Sequence, residues 1–136
     1  MTNILIENHT QYLLNIKGMD TTHGEFIDLV NRLASSEGGD FKILFNVLVD
    51  HTRAHFESEN QWMKESAFPA AAEHIGEHQR VLNELIQFQK RVNKGSFTLA
   101  RAFITQQAPE WFRLHITTMD AALAAHLNLS KLKPTG

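Results

Sequence analysis

Apolar residues recur at steps of three and four along four long stretches of the chain, which is the period of amphipathic helices. The first runs from about Asp20 to Ser35, with His23, Phe26, Ile27, Val30 and Leu33 on one face and Asp20 placed as its N-cap. Glu37-Gly38-Gly39-Asp40 breaks it. The second, about Phe41 to Lys64, carries the stripe Leu44, Leu48, His51, His55, Glu59 and Trp62. The third begins at Pro69, a residue suited to a first helical turn. Its stripe is Ala71, His74, His78, Val81, Leu85, Phe88 and Val92, and Asn93-Lys94-Gly95 ends it. The fourth opens near Ser96 and reaches about Asn128, through Phe103 or Ile104, Ala108, Trp111, His115, Met119, Ala122 and His126. Pro109 lies inside this last stretch. A proline there removes a hydrogen bond and crowds the preceding turn, so the helix kinks or divides near Ala108.

Strand signals are few. Long helices joined by short loops predict an all-α fold, an antiparallel up-down-up-down four-helix bundle. Residues 1–18 show no long period and read as an N-terminal arm packed over the bundle; residues 130–136 read as a C-terminal tail. Residues 1–136 together make one domain, long enough to bury a sizeable core.

Composition narrows the function. The chain has no cysteine, which excludes disulfides, cysteine zinc fingers and cysteine-held iron–sulfur clusters. Net charge is −2 without a charge block, so neither nucleic acid nor an anionic membrane is expected as partner. No apolar run approaches a bilayer span, and the start lacks the pattern of a secretory signal, so the cytoplasm is the expected location. The eight histidines are well above ordinary usage, and their spacing gives them meaning.

The apolar stripes are interrupted by imidazoles and carboxylates. His55 and Glu59 are four residues apart and share a helix face, as do His74 and His78. His115 and Asp120 are five apart, and His23 stands alone on the first helix. One buried histidine is usually a hydrogen-bonded core residue. Contributions from all four helices to one layer, each an imidazole or a carboxylate, point instead to metal, because unpaired buried charge is costly and bundle cores are where such sites are built. Imidazole suits iron, zinc, copper or nickel, and a carboxylate bridge suits iron or manganese. Five nitrogens and two carboxylates exceed one tetrahedral zinc and suit two metals sharing both carboxylates. Without a cation, Glu59 and Asp120 would face each other in the core, where burial and like charge both raise a carboxylate pKa. Five residues of regular α-helix would leave His115 and Asp120 about 140° apart, so a widened π-type turn is expected between them.

The stretches Met19-Asp20-Thr21-Thr22-His23, His55-Phe56-Glu57-Ser58-Glu59, Phe68-Pro69 leading to His74-x3-His78, and Trp111-Phe112-x2-His115-Ile116-x3-Asp120 resemble the hemerythrin family, in particular its single-domain bacterial members. The resemblance spans roughly residues 4–128. It implies two iron ions with a bridging oxo or hydroxo group: His74, His78 and His115 on a coordinatively full iron, His23 and His55 on one with an open position, and Glu59 and Asp120 bridging. It also implies reversible O₂ binding for storage, delivery or sensing rather than enzymatic turnover, with at most weak oxidase or peroxidase side activity. The alternatives are a di-iron oxidase, peroxidase or nitric-oxide-handling enzyme, or a metal store or structural bundle. Catalytic di-iron sites are typically richer in carboxylate, with open positions on both irons. No protein partner is identifiable, and a monomer or weak homo-oligomer is expected.

Around this set, Phe56, Trp111 and Ile116 are expected to line or back the O₂ pocket. His51 departs from the family pattern, which tends to have an aromatic there. It is read as a core histidine or a pocket-lining group one turn before His55, and least readily as a ligand. His126, about 16 Å along the axis from His115, reads as structural. His9 in the arm reads as exposed, and Glu57, Glu65, Glu73 and Glu77 as a solvated face.

Overall fold

Three short connections, residues 35–37, 66–70 and 94–97, turn the chain back on itself and leave four helical rods side by side. The computed structural model describes residues 12–130. Helix α1 is Lys17–Ala34, α2 is Gly38–Glu65 and α3 is Ala71–Asn93. The fourth rod is continuous but not uniform. It comprises α4 (Thr98–Ala102), a π turn (Phe103–Gln107), α5 (Ala108–His115), a second π turn (Ile116–Asp120) and α6 (Ala121–Leu129). The described residues contain no strand, and the architecture is the all-α four-helix bundle that the periodicity predicts. The expectations for residues 1–11, His9 among them, and for residues 131–136 lie outside the described residues.

Several boundaries differ from the sequence reading. Asp20 is not the N-cap of α1. That position is Ile16, and Asp20 sits in the first turn, where its Oδ1 accepts the Leu14 N–H at 2.8 Å and ties the arm to the helix. Pro69 lies in the turn ahead of α3, and the helix proper starts at Ala71, whose N–H returns to the Phe68 carbonyl at 3.1 Å. Gly95 ends the α3 connection with φ +91°, a conformation glycine adopts without Cβ strain. Ahead of Pro109 the rod does divide into segments near Ala108, as expected, with the π turn Phe103–Gln107 giving way to α5. The π turn just before it widens the helix by one residue, so the proline falls in the first turn of α5, where its missing N–H is tolerated.

The buried face of α2 is offset from the predicted stripe. Phe41, Phe45, Leu48, Val49, Thr52, Phe56, Glu59 and Met63 are buried, whereas Leu44, His51, His55 and Trp62 flank that face half-buried. The core has two apolar clusters. The larger includes Ile27, Val30, Phe45, Val81 and Ile116; the smaller is Ile16, Met19, Met63, Leu123, Ala124 and Leu127. On α1 the order is Met19, His23, Ile27; on α2 it is Phe56, Glu59, Met63; on the fourth rod it is Ile116, Asp120, Leu123. The polar layer therefore lies between the two apolar clusters on these rods.

Candidate metal centre

Glu59 and Asp120 are completely buried at the middle of this layer, and the five imidazoles divide between their oxygens. On one side, Asp120 Oδ1 is 3.0 Å from His74 Nε2 and 3.1 Å from His115 Nε2. Glu59 Oε1 is 3.2 Å from His78 Nε2 and 3.6 Å from His74 Nε2. On the other side, Asp120 Oδ2 is 3.0 Å from His23 Nε2, and Glu59 Oε2 is 3.0 Å from His55 Nε2 and 3.8 Å from His23 Nε2. Each carboxylate thus offers one oxygen to each side. The result is two adjoining donor sets, Glu59, His74, His78, His115 and Asp120 in one and His23, His55, Glu59 and Asp120 in the other.

These contacts are not hydrogen bonds. Both oxygens of Glu59 and of Asp120, and the Nε2 atoms of His23, His74, His78 and His115, are buried without a hydrogen-bond partner. Buried polar groups are nearly always paired, and so many exceptions in one layer need an explanation. Cations bound by nitrogen and carboxylate oxygen would supply it, and the two adjoining donor sets fit such ions.

Local structure fixes the donors. The i, i+4 spacing aligns His55 with Glu59 and His74 with His78. The π turn Ile116–Asp120, with the Ala121 N–H reaching back to the Ile116 carbonyl, brings His115 and Asp120 onto one side despite their five-residue spacing, as expected. The Asn60 Oδ1 accepts from His78 Nδ1 at 2.7 Å, which leaves the Nε2 lone pair facing Glu59. Phe56 stacks on the His78 ring at 3.9 Å with 7° between planes, and Trp111 on His115 at 4.7 Å with 19°. The Trp111 Nε1–H donates to Glu77 Oε2 at 3.4 Å. Glu77 is therefore half-buried, while Glu57, Glu65 and Glu73 are exposed as expected.

Without a cation, protons take over the compensation. Burial alone would push the His23 imidazole down, but Asp120 and Glu59 outweigh it and raise it to about 9. Asp120 raises His115 against burial in the same way. Burial dominates at His78 and lowers it. Burial and the Asp120 charge act to raise Glu59, yet the facing imidazoles of His55 and His23 hold it below the usual carboxylate range. His115, His23 and His74 do the same to Asp120. The expected rise of both carboxylates is thus reversed, because five imidazoles surround two acids.

An apolar cavity of about 20 Å³ adjoins the side with fewer donors. His23, His55, Phe26, Phe56, Thr52, Trp111, Phe112, Ile116, His115 and Asp120 line it. Phe56, Trp111 and Ile116 line this cavity. His51 does not. It lies against a shallow surface depression, with Nε2 3.3 Å from Glu25 Oε1, because its position is on the flank of α2 rather than its buried face. Thr52 takes the cavity wall instead. His126 Nε2 donates to the Ser66 carbonyl at 2.9 Å, a structural role. Sequence reasoning missed Asn60 and Thr52.

A family model described as "Hemerythrin HHE cation binding domain" matches residues 14–127, a span that contains all seven clustered donors. The chain belongs to this family. It is 33% identical over 108 residues to a protein of Ralstonia nicotianae named "Bacteriohemerythrin", an alignment covering 79% of this chain and 78% of that protein. It is 25% identical over 123 residues to a "Bacteriohemerythrin" of Stenotrophomonas maltophilia, covering 85% and 79% respectively. Among the described residues, no helix of this hemerythrin-family chain is long and apolar enough to cross a membrane.

Proposed function

We propose that the chain binds O₂ reversibly at a non-haem di-iron centre held by His23, His55, Glu59, His74, His78, His115 and Asp120. The observation that carries this reading is the unequal division of donors. Three imidazoles face one pair of carboxylate oxygens and two face the other, and the poorer side adjoins the apolar cavity. Glu59 and Asp120 hold two cations together, and their charge offsets half of that of two divalent ions in a core that excludes water. Phe26, Phe56, Phe112 and Ile116 keep solvent away from the open side. A pair of iron ions supplies two one-electron reductants, enough to reduce O₂ by two electrons and recover both when it leaves.

The cavity, about 20 Å³, admits a diatomic ligand beside the side with fewer donors. A histidine-rich pair with one side open favours binding over turnover, since catalytic pairs are typically richer in carboxylate and open at both metals. The proposal therefore assigns storage, delivery or sensing of O₂ rather than an enzymatic reaction. Protein loaded with iron is expected to hold about two irons per chain. Its optical spectrum gains a visible charge-transfer band in air and loses it on deaeration. One zinc per chain with no iron uptake overturns the di-iron assignment, and a band that never reverses overturns O₂ binding.

A further inference from the structure

Threonines inside helices commonly return their hydroxyl to the carbonyl four residues back. Thr22, Thr105, Thr117 and Thr118 all do so here, bonding to Gly18, Arg101, Arg113 and Leu114. Thr52 is different. It is 2% exposed, and its Oγ1 makes no hydrogen bond. It is also a wall of the cavity on the His23 and His55 side. The other polar walls already have roles. His23, His55, His115 and Asp120 belong to the donor cluster, and the Trp111 Nε1–H is given to Glu77. A buried hydroxyl without a partner is destabilising, so its retention in this wall calls for a partner from within the cavity.

We propose that the Thr52 hydroxyl donates a hydrogen bond to the small ligand held in this cavity and so sets how tightly oxygen-rich or anionic ligands are retained. The inference deepens the O₂-binding reading and rests on it for the identity of the natural ligand. Thr52 lies one turn before His55, on the same side of α2 as the donor-poor position. Its hydroxyl is not acidic at neutral pH, so it orients and holds a ligand without surrendering its proton. The selectivity that follows is for ligands that accept a hydrogen bond over those that do not.

The test compares wild type with Thr52→Val, which keeps the shape and removes the hydroxyl, and Thr52→Ser, which keeps the hydroxyl. The probe is azide, a small anion that accepts hydrogen bonds, titrated into oxidised iron-loaded protein and read at its charge-transfer band. The midpoint does not depend on the fraction of protein loaded. Thr52→Val is expected to bind azide roughly ten- to a hundredfold more weakly, the loss of one hydrogen bond to a charged acceptor, with Thr52→Ser within about twofold of wild type. In the metal-free protein, Thr52→Val is expected to melt at a higher temperature than wild type, because it removes an unpaired buried hydroxyl. Equal azide affinity in wild type and Thr52→Val overturns the inference. So does a lower melt for metal-free Thr52→Val, which would mean that the hydroxyl is bonded inside the protein. Failure of wild type to bind azide overturns it as well. Thr52-dependent azide binding in a protein that does not bind O₂ reversibly retains the inference and removes the O₂ reading. Reversible O₂ binding with a hydroxyl-independent azide affinity does the reverse.

Discussion

At the scale of single residues, the site was legible where a ligand-type side chain interrupts an apolar stripe. Of the ligand-type residues that interrupt the stripes, His23, His55, Glu59, His74, His78 and His115 are brought together with Asp120, whereas His51 and His126 lie outside the cluster. The residues that support them were not legible. Asn60 sits beside Glu59 at the edge of the buried face of α2 and looks like any solvated amide, yet its side chain fixes the His78 ring. Thr52 is hidden from the sequence because the stripe Leu44, Leu48, His51 and His55 follows only the flank of a buried face that runs through Phe45, Leu48, Val49, Thr52 and Phe56. The same offset misplaced His51. A supporting residue of this kind has a measurable weight. Replacing Asn60 with Leu removes the acceptor that aligns His78 and leaves that Nδ1–H unpaired. Because Asn60 is only half-buried, the fold is expected to survive. Iron affinity is expected to fall by roughly ten- to a hundredfold, as for other outer hydrogen bonds to metal-binding histidines. Competition with a chelator measures it, and retention equal to wild type would reduce the Asn60 contact to surface packing.

At the scale of elements, the two π turns in the fourth rod were unequally visible. The turn Ile116–Asp120 follows from a spacing of five between two residues that must face the same way, a purely geometric demand. The turn Phe103–Gln107 carries no such demand, and only Pro109 hints at it. Sequence reasoning offered a kink or a break because those are the usual responses to an interior proline. The structure places a segment boundary at Ala108 and makes it by widening the preceding turn, with the Ala108 N–H reaching back to the Phe103 carbonyl. This has an energetic consequence. A proline in a regular helix interior costs about 3 kcal/mol or more relative to alanine. Here the π turn has already moved Pro109 into a first-turn position. Pro109→Ala is therefore expected to change unfolding free energy by less than about 1 kcal/mol, read from urea denaturation. A gain of about 3 kcal/mol would mean that the proline strains the rod after all.

At the scale of the whole molecule, the polar layer divides one apolar cluster from the other, so its charge state bears on the stability of the entire bundle. Cations or protons can neutralise Glu59 and Asp120, and the two differ in their dependence on pH. In metal-free protein His23 has its pKa raised from 6.5 to about 9. A group raised on folding contributes stability that is fully present below its unfolded value and is lost as pH climbs through the folded value. The lowered carboxylates act in the opposite sense: their contribution is present above the unfolded carboxylate range and lost as pH falls below it. His78, lowered by burial, takes stability away as pH falls below 6.5, and His115, raised, acts with His23. Metal-free protein is thus expected to be most stable near pH 6.5, and to lose up to about 3 kcal/mol between pH 6.5 and 9 as His23 gives up its proton. Metal-loaded protein behaves otherwise. Coordination requires the imidazoles to be neutral, so binding releases protons and strengthens as pH rises. The melting temperature of the loaded protein should exceed that of the metal-free protein throughout, and the gap should widen from pH 6.5 to 9. Thermal melts of both forms across that range provide the measurement. A metal-free melt indifferent to pH in that window would show that His23 is not the proton carrier. A metal-free melt that overlays the loaded one would show that the polar layer is satisfied without a cation, contrary to the orphaned donors at its centre.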